Sequence, residues 1–165
     1  MKWLIFTSVF AALGLTALNV SAQRYVGSQT CQGCHPFAYQ QWAAGPHMNS
    51  HKSLTAPQQK DAKCNTCHIA KTSKQRSVVN AGPVGIGCES CHGPGQYYHP
   101  DYVMKDKELA AAVGLITPTE ANCRQCHTEG TPSIRVFDFE TFWKEIDHGK
   151  AARERWEAEQ SAATP

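Results

Sequence analysis

The chain opens on an apolar run. After Lys2, hydrophobic side chains dominate from Trp3 to Val20, diluted by Thr7, Ser8, Gly14, Thr16 and Asn19, and the run ends on the small residues Ser21 and Ala22. One early positive charge, an apolar centre and a small-residue exit are the parts of a secretory signal peptide (residues 1–22), which predicts cleavage after Ala22 rather than retention as a membrane span. No later stretch has the length to cross a bilayer, so residues 23–165 are expected to form one exported domain, in the periplasm or beyond, with no stable membrane insertion after signal cleavage. Within it the hydrophobic positions fall in short groups, with little of the alternation that marks strands. Gly45-Pro46 ends a helix after Trp42, and Pro94, Pro100 and Pro118 mark turns. Thr117-Pro118-Thr119-Glu120 reads as a capping box with proline at the first helical position, opening a helix that runs into Cys123–His127. From the N-cap candidate Asp138, Phe139, Phe142, Trp143 and Ile146 recur at helical spacing, and Gly149 is a plausible stop. The residues beyond, about 150–165, are charged and read as a mobile, solvated helical tail. The fold class expected is mainly α with extensive loops and little or no sheet.

Composition then raises a difficulty. Leu, Ile, Val and Phe supply only 19 of the 143 residues from Gln23 onward, too few for an ordinary aliphatic core. Disorder is the plain alternative, yet disordered chains carry high net charge and few aromatics. This one has a formal charge of +2 and keeps Trp42, Trp143, Trp156, Tyr97 and Tyr98. A bulky apolar cofactor serving as the core resolves the conflict. The near-neutral charge also removes nucleic acid from the list of partners. The basic group Lys71, Lys74 and Arg76 reads as a solvated loop.

The cysteines identify the cofactor. All eight fall in pairs two residues apart, Cys31/Cys34, Cys64/Cys67, Cys88/Cys91 and Cys123/Cys126, and each pair is followed at once by a histidine: His35, His68, His92 and His127. With histidine at about one position in twenty, four such coincidences have a chance on the order of one in 10⁵. Cys-x-x-Cys-His is the c-type haem attachment signature, in which two thiols form thioethers to the porphyrin and the adjacent imidazole binds iron. A disulfide scaffold would not require the histidines, and paired zinc ribbons would leave them idle. Four covalent haem c groups, with iron, are therefore expected to form the interior.

Four further histidines, His47, His51, His99 and His148, are available as second axial ligands, with Met48 and Met104 as weaker competitors. Their number matters chemically. A six-coordinate iron suits outer-sphere electron transfer, whereas an open face permits small-molecule chemistry.

These residues resemble the tetrahaem cytochrome c-554 family found in ammonia oxidisers and their relatives. The likeness runs from Tyr25 to about His148: YVGSQTCQGCH at the start, Trp42 seven residues after His35, His47 five after Trp42, GIGCESCHGPG from Gly85 to Gly95, and FDFETFWKEIDH from Phe137 to His148. The resemblance implies His99 as partner of the haem on His35, His47 of that on His92, and His148 of that on His127, leaving the haem on His68 five-coordinate. It also implies an electron carrier between a multihaem oxidoreductase of nitrogen metabolism and the membrane quinone pool, with redox proteins as partners.

This chain departs from the family pattern in three respects. His99 lies closer to His92, the segment after His148 is short, and His51 is additional. His51, one helical turn beyond His47, is either a ligand to the fourth iron or a solvated side chain. On an ideal helix His148 falls about 180° from the Phe139/Ile146 stripe, so the helix unwinds before it or the histidine serves a different haem from the one the stripe covers. Two rival functions stand beside the carrier. One is a small reductase of nitric oxide, hydroxylamine or nitrite at the His68 haem, with Tyr97, Tyr98 and Asp101 as proton-donor candidates. The other is the subunit of a haem-lined filament, the oligomeric state being undetermined by sequence.

Overall fold

The computed structural model describes residues 23–69, 85–130 and 135–163. The signal-peptide segment and the basic group at 71–76 lie outside them. Among the described residues there is no strand; the chain is a succession of short helices and turns. In order these are α1 (Ser28–Gln32), α2 (Pro36–Ala44), a 3-10 turn (Ser50–Ser53), α3 (Ala56–Lys60), α4 (Ala62–His68), α5 (Cys88–His92), α6 (Asp101–Met104), α7 (Lys107–Ala112), α8 (Glu120–Cys123), α9 (Phe139–Ile146) and α10 (Lys150–Ala163).

Local chemistry accounts for these boundaries. Pro36 opens α2 and Gly45 closes it, its N–H bonded to Trp42 O. Thr55 and Gln58 form a reciprocal capping box at α3, Asp61 caps α4 through Lys63 N–H, and Asp106 caps α7 through Glu108 and Leu109 N–H. The expected cap at Asp138 forms, accepting Thr141 N–H at 2.9 Å. The box expected at Thr117–Glu120 is displaced by two residues. Thr119 is the N-cap and Asn122 its partner, because Asn122 Oδ1 accepts both the Thr119 N–H, at 2.8 Å, and its hydroxyl, at 2.9 Å.

Apart from α10, none of these helices exceeds nine residues. Helices shorter than about 12–15 residues are marginal in water, so tertiary contacts must hold them. Protein side chains supply few such contacts: the buried hydrophobics are Phe37, Ile69, Tyr98, Val103, Ala110 and Ala152. Tyr98, Val103 and Ala110 form one small cluster with Met104, Val113 and Leu115 against it. Beside them lies a cavity of about 360 Å³ reaching Trp42, Ile86 and the first and third Cys-x-x-Cys-His motifs.

The C-terminal segment read as a mobile tail is helical to Ala163, and it docks. Ala152 is buried and Trp156 packs on Phe37 with ring centroids 5.3 Å apart. The charged residues mask a two-residue apolar face that periodicity alone does not register. Trp156→Ala is expected to cost about 1–2 kcal/mol, since the ring is half-buried, and to expose α10 to proteases. Thermal unfolding and limited proteolysis measure it; a variant with unchanged melting and cleavage would show the contact to be inert.

Candidate haem centres

The first and third attachment motifs are built against each other. Ser28 Oγ on α1 accepts the Cys88 N–H of α5 at 3.1 Å, and Trp42 Nε1 on α2 donates to Ile86 O at 2.8 Å. The thiols of Cys31 and Cys88 are close enough to interact, which raises the former's pKa and holds the latter's down, to about 7. Burial pushes Cys91 up to about 11. Prosthetic groups bonded at these two motifs would be neighbours.

The cavity takes in only some of the cysteines. Cys31, Cys88 and Cys91 line the cavity, whereas Cys34, Cys64, Cys67, Cys123 and Cys126 do not. The reason is where each helix stops. Helix α1 ends at Gln32, so Cys34 falls beyond it and is exposed, although its motif partner Cys31 is half-buried. Cys64 and Cys67 are both half-buried on α4, one helical turn apart on one face. Helix α8 ends at Cys123, and the chain continues as a turn in which Cys126 N–H donates to Cys123 O at 3.1 Å and His127 N–H to the same carbonyl at 3.0 Å. Cys126 is half-buried there. No disulfide joins any of the eight. The second and fourth motifs thus stand at places of their own, outside the cavity shared by the first and third.

A second junction ties the segment around His47 to the second and third motifs. Gly85 N–H donates to Met48 O at 3.0 Å and Ile86 N–H to His47 O at 2.8 Å. Only glycine allows this approach, because a Cβ at position 85 would overlap His47 O. Ser50 Oγ lies 2.7 Å from His47 O and 2.9 Å from His68 O, and accepts Ile86 N–H at 3.2 Å.

The imidazoles are oriented for metal binding. Nδ1 lies 3.1 Å from Ile116 O in His92, 3.0 Å from Gly95 O in His99, 2.9 Å from Ile146 O in His148 and 3.1 Å from Ser50 O in His68. A carbonyl can only accept, so the proton sits on Nδ1 and the Nε2 lone pair is left for a metal. Burial lowers the pKa of His47, His92 and His127, holding them in the neutral form that ligates.

Two pairs of rings then face each other. The centroids of His92 and His148 are 5.9 Å apart, with ring planes at 70°; those of His47 and His127 are 6.1 Å apart, at 63°. Two imidazoles sharing one metal, each with its nitrogen about 2.0 Å from it, have centroids about 6 Å apart, so both pairs have the spacing of a shared axial site. The donor set, its tautomers and its spacing fit covalently bound haem c, with the cysteines as tethers, the motif histidines as one axial ligand, and His47 and His148 as second ligands.

These ring contacts differ from the pairing implied by resemblance. His47 faces His127 rather than His92, and His148 faces His92 rather than His127. The chain path explains the second exchange: α9 ends at Ile146, and Asp147 is extended (φ −61°, ψ 127°), turning His148 off the helix toward His92. The stripe divides: Phe142 lies 5.3 Å from Phe137, which stacks on the His127 ring at 4.5 Å, whereas Ile146 lines the cavity beside His92 and His148. The helix therefore unwinds before His148, the first of the two alternatives that the periodicity left open. No ring contact joins His35 and His99 among the described residues. His35 lines the cavity, and His99 is exposed apart from its Gly95 bond.

His51 does not continue a helix from His47. The chain makes a turn and then the 3-10 segment Ser50–Ser53. His51 is half-buried, with its Nδ1 enclosed and without a hydrogen-bond partner. The side of the His68 ring turned toward this segment is its Nδ1 side. Ser50 O and Ser53 Oγ, at 3.1 and 3.0 Å, both lie on the Nδ1 side of His68, so Nε2 points away from the turn that carries His51. Two of the proton-donor candidates are also committed elsewhere: Tyr98 donates to Gly93 O at 2.6 Å and Asp101 pairs with Lys105 at 2.6 Å.

Sequence reasoning passed over Phe137, Ser50, Ser53 and Glu89. Only Glu89 carries a signal of its own, as a charged residue between two tethering cysteines in a glycine-rich stretch.

Comparison with known proteins finds the following similarities. The family model described as cytochrome c554 and c-prime matches residues 30–93. Cytochrome c-554 of Nitrosomonas europaea is 27% identical over 142 residues, covering 66% of this chain and 60% of that protein, so the chain spans less than two thirds of the relative's length. The solved structure of cytochrome c554 from Nitrosomonas europaea in its reduced state is similar in fold, with a TM-score of 0.50 and 22% identity over 76% of this chain and 79% of that one.

Proposed function

We propose that this chain, similar to cytochrome c-554 in sequence and fold, is a c-type cytochrome that carries electrons through four covalently attached haems in the periplasm, between redox protein partners. The observation that carries the reading is the pair of facing imidazoles at 5.9 and 6.1 Å, His92 with His148 and His47 with His127. Closing both axial faces of an iron leaves it nothing to do but change charge. Bound haem supplies a one-electron couple at each centre; the chain's own residues tether, ligate and bury it. The Cys31–Cys88 contact brings two centres together, which favours transfer between them. The family's role supports a multihaem oxidoreductase of nitrogen metabolism as donor and the membrane quinone pool as acceptor. Among the described residues no helix is long and apolar enough to cross a membrane.

The orientation of His68 favours a second reading as well. With Nε2 turned away from the segment that carries His51, the His68 iron keeps a free face, where nitric oxide or hydroxylamine would bind. Low-temperature paramagnetic resonance of the oxidised protein is expected to show one high-spin haem beside low-spin ones, and carbon monoxide to bind one haem of the reduced protein. His51→Ala should leave both results unchanged. A wholly low-spin spectrum without carbon monoxide binding would eliminate the open site and the reductase together. With the open site present, turnover of nitric oxide or hydroxylamine separates reductase from carrier.

A further inference from the structure

Glu89 is the largest fully buried side chain among the described residues, at 2% exposure, and it lies between the two tethering cysteines of α5. Three backbone N–H groups converge on it: Val26 N–H on Oε1 at 2.8 Å, Gly27 N–H on Oε2 at 2.8 Å and Gly95 N–H on Oε1 at 2.7 Å. All three are donors, so none can accept a carboxyl proton, and they stabilise the ionised form. No lysine or arginine pairs with it among the described residues, whose ion pairs all lie at the exposed surface. A full negative charge therefore sits inside the molecule, balanced only by peptide dipoles.

Its position is specific. Glu89 is within the third motif, and Val26 and Gly27 lead directly into α1, which carries Cys31 of the first. The thiol contact between Cys31 and Cys88 closes the same junction. Ferric haem carries one more positive charge than ferrous haem, so a nearby fixed anion favours the ferric state, the more strongly where water is excluded. We propose that Glu89 is a positioning and potential-setting residue, a buried anion that lowers the reduction potentials of the haems held by His35 and His92 relative to the other two. The inference rests on the haem reading above, which the haem count tests separately.

The experiment is a spectroelectrochemical titration of Glu89→Gln holoprotein after counting its haems by intact mass and pyridine haemochrome. The expected result is four haems, with two of the four midpoint potentials moved positive and the other two unmoved. Gly95→Ala is the structural control. Its Cβ would press to 2.7 Å from Val26 Cγ2 and 3.0 Å from Glu89 Oε1, disturbing the clamp without removing the charge, and it should not reproduce the paired positive shift. Unchanged potentials, a uniform shift of all four, or the same pair shift in Gly95→Ala would overturn the proposal. Fewer than four haems in the wild-type protein would overturn the tetrahaem reading instead. Should Glu89→Gln fail to mature, the redox-difference infrared spectrum of wild-type protein, isotopically labelled in its glutamate carboxyls so that haem propionates do not contribute, decides the matter. A carboxylate band that moves on reduction supports the proposal, and a protonated-carboxyl band defeats it.

Discussion

Replacing both Cys88 and Cys91 with alanine is expected to yield a chain that does not fold, rather than a cytochrome with one haem fewer. The third motif stands at the centre of the architecture. Its helix is bonded to Ser28, its buried Glu89 holds residues 26, 27 and 95, and the backbone of His92 is tied to Ile116 at 3.0 Å. The helices around it are too short to persist unaided, and the buried side chains amount to one small cluster and a few isolated contacts. Losing the tether removes the group that the surrounding apolar surfaces pack on. The loss should approach the whole stability of a small domain, about 5–15 kcal/mol. Circular dichroism, haem count and cellular yield measure the result. A soluble, helical protein retaining three haems would show that the polypeptide holds itself together without the third.

Removal of the second axial ligands should have the next largest effect, and double variants test the pairing directly. His148→Ala is expected to convert one low-spin iron to a high-spin, carbon-monoxide-binding one. If His92 and His148 share an iron, the double variant His92→Ala/His148→Ala perturbs that single centre, whereas His127→Ala/His148→Ala perturbs two. The same logic gives one centre for His47→Ala/His127→Ala and two for His47→Ala/His92→Ala. Paramagnetic resonance counts the low-spin irons that remain. The opposite outcome, two centres lost in His92→Ala/His148→Ala, would restore the pairing implied by resemblance and show that the facing rings at 5.9 Å are neighbours without a common metal.

The sequence alone determined what is local or covalent. Eight cysteines with four adjacent histidines carry the haem-attachment pattern, because that chemistry needs those atoms at that spacing and nothing else. The shortage of aliphatic residues announces a core made of something other than side chains. Asp138 and Gly45 act within a turn of where they stand, so their roles as cap and stop could be read directly. Tertiary structure decided everything that depends on where the chain returns. The motif spacing is the same four times over, yet Cys34 is exposed while Cys67 and Cys126 are half-buried, because enclosure depends on what packs over each motif. Which second histidine meets which motif is a matter of chain path: a single extended residue, Asp147, redirects His148, and no periodicity encodes that turn. The orientation of the His68 ring follows from two oxygens on its Nδ1 side, one of them on a serine fifteen residues away. Trp156 on Phe37 and Glu89 on Val26 and Gly27 join residues more than sixty positions apart, so no short window of sequence contains both partners.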